Sequence, residues 1–189
     1  MYAEKLIEIM DTINCTYTIQ WVGPFHSLEE LNSFKWNDNT NGLDCFNLYC
    51  FEARYRSNSK WRRYLGIHKQ NDGIDKRLND RHEHFKQFVN FKDKNIWIGA
   101  FGNENDQKPE NIDIVETLFI RTYKDELVEN EKKKKSLPHE SVCVINLWYN
   151  ADENIRHNRK NTISFMDDVI VFDRENHRLL HGKLSEISL

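Results

Sequence analysis

The chain has 189 residues and a mass of 22.7 kDa, which suits one domain with peripheral additions. Hydrophobic residues make up 39% and charged residues 30%, with 7 Gly and 3 Pro, so the composition excludes collagen-like, low-complexity and wholly disordered proteins. The apolar runs are too short for a transmembrane helix, and charges interrupt the N-terminal segment where a signal peptide would be apolar, so we expect a cytoplasmic protein with no membrane partner.

The net charge of −3 conceals an uneven distribution along the chain. Residues 49–94 contain 12 Lys and Arg against 6 Asp and Glu, a net charge of +6, whereas the remainder has 15 against 24, a net charge of −9. A localised basic patch is what binding to a polyanion requires. Charge alone fits an ordinary uneven surface equally well, so this feature needs support from particular residues.

The first 44 residues predict three elements. A short helix comes first, and a strand over residues 16–22 follows it. A second helix begins after Ser27, a residue type that caps helix N-termini, with Glu29 and Glu30 in its first turn.

The centre of the chain predicts an antiparallel hairpin. Residues 46–55 are apolar on both faces, which is typical of a strand covered on both sides. A turn at residues 56–60 separates this strand from a second one over residues 61–69. In the hairpin we expect Tyr49 and Tyr64 to lie roughly opposite one another.

The remaining pattern alternates helices and strands. A helix is predicted to begin near Ile74, with Arg77 and Arg81 on its polar face. A third strand over residues 95–101 and a helix over residues 111–123 follow. Three strands are predicted at residues 141–149, 163–173 and 178–184, the last two forming a hairpin.

Glu116 does not fit the apolar pattern of its helix. Its neighbours three and four residues away are Ile112, Phe119 and Ile120. A carboxylate among such residues needs a cation or hydrogen-bond donors. A salt bridge to Lys or Arg is the simpler interpretation, and a carboxylate that binds Mg²⁺ is the alternative.

Four features follow one another along the chain: one tripeptide on each strand of the predicted hairpin, then an arginine and a glutamate on the two helices predicted after it. They are Asn47-Leu48-Tyr49, Tyr64-Leu65-Gly66, Arg77 and Glu116. This arrangement resembles the GIY-YIG nuclease family over roughly residues 46–125. The resemblance implies an α+β fold in which a small mixed or antiparallel three-stranded core sheet is flanked by helices. Within one compact domain it predicts an N-terminal extension (1–44) with helix and strand elements, a nuclease core (45–150) and a C-terminal β-hairpin extension (151–189).

The resemblance also implies a metal-dependent DNA endonuclease, of the restriction or mobile-element type. Tyr49, Tyr64, Arg77 and Glu116 would be the catalytic residues. Glu116 would bind Mg²⁺ or Mn²⁺, and Arg77 would hold the scissile phosphate. One of the two tyrosines would take a proton from the attacking water, and the sequence leaves open which one.

Further residues are assigned to supporting roles. The predicted nucleic-acid contacts are basic side chains of the hairpin tip and of the segment that follows it: Arg54, Arg56, Lys60, Arg62, Arg63, Lys69, Arg81 and His82. The accessory candidates are a glycine that permits close approach to its strand, a histidine after the second motif and two late asparagines: Gly66, His68, Asn146 and Asn150.

Two alternatives remain open at the level of sequence. One is a catalytically degenerate GIY-YIG fold that binds nucleic acid or protein without cutting. The other is a nuclease that acts on RNA instead of DNA. Since the chain carries no zinc finger or helix-turn-helix, specificity would come from residues 1–44, from the C-terminal strands or from a homodimer.

Overall fold

A seven-stranded sheet forms the body of the protein. The computed structural model describes residues 12–36, 43–70, 73–79, 82–83, 86, 90–152 and 162–184. In chain order the strands are β1 (Cys15–Phe25), β2 (Phe46–Arg54), β3 (Arg62–Ile67), β4 (Asp93–Phe101), β5 (Val142–Tyr149), β6 (Val169–Asp173) and β7 (Arg178–Gly182). Their spatial order is β3-β2-β4-β1-β5-β6-β7. All neighbours are antiparallel except β1 and β5, which are parallel, so the sheet is mixed.

Two α-helices accompany the sheet in the described part of the chain. α1 (Leu28–Ser33) begins after Ser27, whose hydroxyl accepts a hydrogen bond from the Glu30 backbone amide, as the sequence predicts. α2 (Pro109–Thr122) starts with a proline, which has no amide hydrogen to leave unsatisfied in the first turn. Single 3₁₀ turns lie at Ile74–Lys76 and Glu104–Asp106. Neither α-helix is long and apolar enough to cross a membrane.

Each face of the sheet carries its own apolar core. α2 packs with Ile112, Val115 and Phe119 on the face that includes Leu48 and Leu65. The opposite face buries a second cluster that includes the ring of Tyr49 and the side chains of Phe51, Ile74 and Leu78. β2 is buried along its length up to Arg54, which confirms the prediction of a strand covered on both sides.

The predicted fold, a three-stranded core flanked by helices, is wrong. β1 lies at the centre of the sheet, where it pairs with β4 on one side and β5 on the other. β5, β6 and β7 extend the same sheet, so strands predicted as additions belong to its main body. Strand patterns along the chain identify strands, but pairing between distant segments is decided by tertiary contacts, which local patterns do not contain.

The hairpin register differs from prediction, and part of the helix predicted to begin near Ile74 lies outside the described residues. Tyr49 pairs with Gly66, and Tyr64 pairs with Phe51, so the two tyrosines are diagonal neighbours on one face instead of direct partners. At Ile74 the described chain makes a single 3₁₀ turn that ends at Arg77. The N-terminal helix and Arg81 lie outside the described residues.

Candidate functional site

The ring of Tyr49 lies across Gly66 on the neighbouring strand. A Cβ atom at Gly66 would lie only 2.3 Å from both Cζ and Oη of Tyr49. The group that approaches β3 closely at this glycine is therefore the Tyr49 ring. The side chain of Tyr49 is fully buried, and its ring centroid lies 6.1 Å from that of Tyr64.

His82 closes over this aromatic pair. Its Nε2 atom and the Tyr49 hydroxyl are hydrogen-bonded at 2.8 Å. The imidazole centroid lies 5.6 Å from the ring of Tyr49, 6.0 Å from that of Phe51 and 6.2 Å from that of Tyr64. With only 7% of its surface exposed, His82 is a buried hydrogen-bond partner of the tyrosine hydroxyl.

Arg77 stands beside the two tyrosines at the protein surface. Its backbone amide donates to the Ile74 carbonyl, and the Ile74 amide donates to the Leu43 carbonyl, so the turn that carries Arg77 is fixed against the chain before β2. The guanidinium acts on both tyrosines through its charge, and it hydrogen-bonds Tyr49. Arg77 is exposed, so it can also reach a ligand in solvent.

Burial dominates the ionisation of the tyrosines. It raises the pKa of Tyr49 well above its ordinary value, the charge of Tyr64 raises it further, and Arg77 lowers it without offsetting burial. Burial likewise raises the pKa of Tyr64, while the hydrogen bond with Tyr49 and the charge of Arg77 lower it and that of Glu116 raises it. Both phenols therefore remain protonated at neutral pH.

Glu116 lies on the other face of the sheet from the two tyrosines. It belongs to α2, and its charge influences both Tyr64 and Arg77. Its side chain is 13% exposed, and its Oε2 atom lies 2.7 Å from Nζ of Lys133. Burial raises the pKa of Glu116 above its ordinary value, and Lys133 lowers it only in part. The lysine salt bridge that the sequence offered as the simpler interpretation is thus present.

The oxygen ligands around Lys133 are suited to a hard cation. The ammonium also lies 2.9 Å from Oδ1 of Asp113, one turn before Glu116 on α2. Two carboxylates that converge on one positive charge are donors of the type that Mg²⁺ prefers. Among the described residues, no group of three or more His, Cys, Asp and Glu side chains is arranged to hold a metal ion. A cation would therefore need water or substrate oxygens to complete its coordination.

The basic residues of the hairpin tip are largely paired within the protein. Arg54 binds Asp93 at 2.6 Å and stacks on Trp61, and Arg62 makes a two-pronged ion pair with Glu129 at 2.6 and 2.7 Å. Arg63 binds Glu52 and Glu126. Arg56 and Lys60 are exposed at the turn.

The other predicted residues are dispersed. Lys69 binds Asp113 at 2.6 Å, so it joins the carboxylates of α2. His68 follows β3, where its backbone exchanges two hydrogen bonds with Asn47. Asn146 is buried and bridges the Trp21 indole and the Asp167 carbonyl, which is a structural role, while Asn150 follows β5 and is partly exposed.

Sequence reasoning missed Asp113 and Lys133 as members of the site. Lys133 stands within a run of four lysines in a polar segment, which is typical of a solvated loop. The spacing of Asp113 and Glu116, three residues apart on a helix, was the available signal, because it places both on one face. The hydrogen bond between His82, which is predicted to contact nucleic acid, and Tyr49 was also missed.

Comparisons of the chain with protein-family models, with curated proteins and with solved structures give no match.

Proposed function

We propose that the protein is an endonuclease that hydrolyses DNA phosphodiester bonds with a divalent cation, as the resemblance to GIY-YIG nucleases implies. The observation that carries this proposal is the buried, hydrogen-bonded pair of Tyr49 and His82, with the partly exposed Tyr64 and the exposed Arg77 beside it. Tyrosine and histidine can move a proton, and a guanidinium can bind a phosphate. These residues can therefore both move a proton and bind a phosphate, as phosphodiester hydrolysis requires.

Arg77 is the phosphate-binding residue in this proposal. Its planar guanidinium can donate two parallel hydrogen bonds to the non-bridging oxygens of the scissile group. The same contact offsets the negative charge that accumulates as water attacks phosphorus. The hydrogen-bonded turn at Ile74–Lys76 holds the backbone of Arg77 in place, so only its side chain has to move to bind a phosphate.

The two tyrosines differ in their access to solvent. Tyr49 is fully buried, whereas Tyr64 is partly exposed and its hydroxyl is hydrogen-bonded to that of Tyr49. We therefore assign the contact with the attacking water to Tyr64. Because both phenols are protonated at neutral pH, the tyrosines act as relays and do not need to be phenolates.

The proton leaves the attacking water along this chain of hydroxyls. It passes to Tyr64 and, once rotation has turned the Tyr64 hydroxyl toward Tyr49 and the Tyr49 hydroxyl toward His82, on through Tyr49 to Nε2 of His82. The water oxygen forms the new bond to phosphorus as the bond to the leaving 3′-oxygen breaks, and that oxygen takes up a proton from solvent. His82 ends the step as an imidazolium, which bulk water then deprotonates.

Glu116 and Asp113 are the residues that would hold the divalent cation. A cation held there would supply positive charge that offsets the negative charge developing on the phosphate. Lys69 and Lys133 already balance the two carboxylates in the structure, so this part of the site carries no uncompensated negative charge against the substrate.

Cleavage of supercoiled plasmid in Mg²⁺ or Mn²⁺ tests the proposal. We expect the wild type to nick or linearise the plasmid and Glu116→Gln to lose this activity. Glu110→Gln, on the exposed first turn of the same helix, is the matched control and should cleave like the wild type. A parallel assay on single-stranded and double-stranded RNA decides between DNA and RNA as substrate.

A binding module without catalysis is the second candidate, and the ion pair of Glu116 with Lys133 favours it. A carboxylate that is permanently paired to lysine serves the fold and binds no metal. For this candidate we expect a shift of DNA on a native gel, no cleavage with either metal, and unchanged binding by Glu116→Gln.

A further inference from the structure

Lys133 places a positive charge between two carboxylates of α2. Its Nζ atom lies 2.7 Å from Glu116 Oε2 and 2.9 Å from Asp113 Oδ1, and it donates a longer hydrogen bond of 3.4 Å to the Asp113 carbonyl oxygen. The ammonium is thus surrounded by three oxygens from one turn of a helix. An oxygen-bound divalent cation would have to use the same carboxylates.

The backbone of Lys133 adopts an unusual conformation to make these contacts. Its φ angle is 66°, in the left-handed region that a residue with a Cβ atom rarely occupies. Such a conformation persists only where surrounding contacts hold it. Loss of the ammonium contacts would therefore let the residue relax.

The loop that carries Lys133 is attached to the rest of the protein on both sides of it. The Asn130 side-chain amide exchanges hydrogen bonds of 2.9 and 2.7 Å with the backbone of Leu65 in β3. Arg121 donates to the Lys134 carbonyl at 3.0 Å. The ammonium can consequently leave the carboxylates by rotation of its own side chain while the loop stays attached.

We propose that Lys133 and a divalent cation compete for Glu116, so that Mg²⁺ or Mn²⁺ binds only by displacing the Lys133 ammonium. Lys133 is then a positioning residue that keeps Glu116 charge-balanced in the metal-free protein and sets the affinity of the metal site. This inference rests on the proposed function, because it takes Glu116 as the metal ligand. The displaced ammonium remains tethered beside the site, where it faces an incoming phosphate together with Lys69.

Binding of Mn²⁺ measured by electron paramagnetic resonance tests the competition directly. We expect Lys133→Met to bind Mn²⁺ at least tenfold more tightly than the wild type, because methionine fills similar space without a charge. Lys132→Met, an exposed neighbour in the same lysine run, should stay within twofold of the wild type. The double variant Lys133→Met with Glu116→Gln should lose the gain.

Amine labelling of the wild-type protein gives a second readout that does not depend on the folding of a variant. Lys133 should react slowly with an acylating reagent, since its ammonium is ion-paired with both carboxylates and its side chain is only 24% exposed, while the exposed Lys132 and Lys135 should react quickly. Addition of Mn²⁺ should raise the labelling of Lys133 severalfold relative to Lys132. Glu116→Gln should raise it without metal.

The outcomes separate this inference from the proposed function. Equal Mn²⁺ affinity of wild type and Lys133→Met, with weaker binding by Glu116→Gln, would overturn the competition and leave Glu116 as a metal ligand. Absence of Glu116-dependent Mn²⁺ binding in every variant would overturn both. Metal-dependent exposure of Lys133 together with tighter binding by Lys133→Met would support both.

Discussion

The contact between Tyr49 and Gly66 ties the hairpin register to the candidate site. Gly66 leaves room for the Tyr49 ring, and the ring in turn directs its hydroxyl to His82. The absence of a side chain at Gly66 therefore determines where the Tyr49 hydroxyl lies. The fully buried ring also makes Tyr49 part of the apolar core.

Gly66→Ala should destabilise the protein by about 1–3 kcal/mol, because the new methyl group would overlap Cζ and Oη of Tyr49. Urea denaturation measures the loss. Gly102→Ala is the control, since its Cβ would lie 3.3 Å from the nearest atoms of Thr18. In a Tyr49→Ala background the Gly66→Ala change should cost less, and an equal cost in both backgrounds would contradict the overlap.

His82→Phe separates proton transfer from packing. Phenylalanine keeps a ring against Tyr49, Phe51 and Tyr64 but offers no hydrogen-bond partner to the Tyr49 hydroxyl. The single-turnover cleavage rate should fall at least ~100-fold. The buried hydroxyl left without its histidine partner should cost about 1–3 kcal/mol of stability.

The double variant Tyr49→Phe with His82→Phe removes that unsatisfied hydroxyl. It should regain stability while its cleavage rate stays low. Recovery of both stability and activity would mean that the Tyr49 and His82 pair serves packing only.

At the scale of elements, the outer edge of β3 is covered by the loop after α2. The Glu129 amide donates to the Arg63 carbonyl, and the Asn130 side chain pairs with both backbone groups of Leu65. The carboxylates of Glu126 and Glu129 also bind Arg63 and Arg62. The loop thus satisfies an edge strand that would otherwise expose unpaired groups, and it brings Lys133 to Glu116.

Asn130→Ala should destabilise the protein by about 1–3 kcal/mol, because it leaves buried backbone groups of Leu65 without partners. Hydrogen exchange should show faster exchange of the Leu65 amide. Asn58→Ala, at an exposed turn position, should leave both properties unchanged. Unchanged protection of Leu65 in Asn130→Ala would show that the loop does not hold this edge.

The elements could be predicted from sequence where a local pattern determines them. Ser27 predicted the start of α1, because its side chain can cap a helix. The apolar residues on both faces of β2 predicted its burial. The 3₁₀ turn at Ile74–Lys76 could not be distinguished from the start of an α-helix, because the same apolar spacing fits both. The left-handed backbone of Lys133 has no sequence signature at all.

At the scale of the whole molecule, the position of β1 could not be predicted from its own residues. Buried and exposed residues alternate along β1 as they do in many strands, whatever their position in a sheet. Its place in the middle follows from its pairing with β4 and β5. The proximity of Tyr49, Tyr64 and Arg77 could be predicted, because the hairpin and the turn after it are close in sequence. The ion pair of Lys133 with Glu116 joins a loop to a helix and needs the tertiary structure.

A fragment of residues 45–150 should fail to fold on its own. Without β1, the strands β4 and β5 lose their shared neighbour, and the buried side chains of Ile19 and Trp21 leave the core. Nuclear magnetic resonance of the labelled fragment should show the narrow amide dispersion of an unfolded chain. A well-dispersed spectrum would show that the segment before residue 45 is dispensable.

The most direct measurement of the central claim compares DNA cleavage by the wild type, Arg77→Ala and Lys76→Ala in Mg²⁺ and Mn²⁺. Both variants lose one exposed positive charge from the same turn, and Arg77 is the one whose charge lowers the pKa of both tyrosines. The account predicts cleavage by the wild type and by Lys76→Ala, and a loss of at least ~100-fold in Arg77→Ala. Equal cleavage rates in all three proteins, or no cleavage by the wild type with either metal, would contradict it.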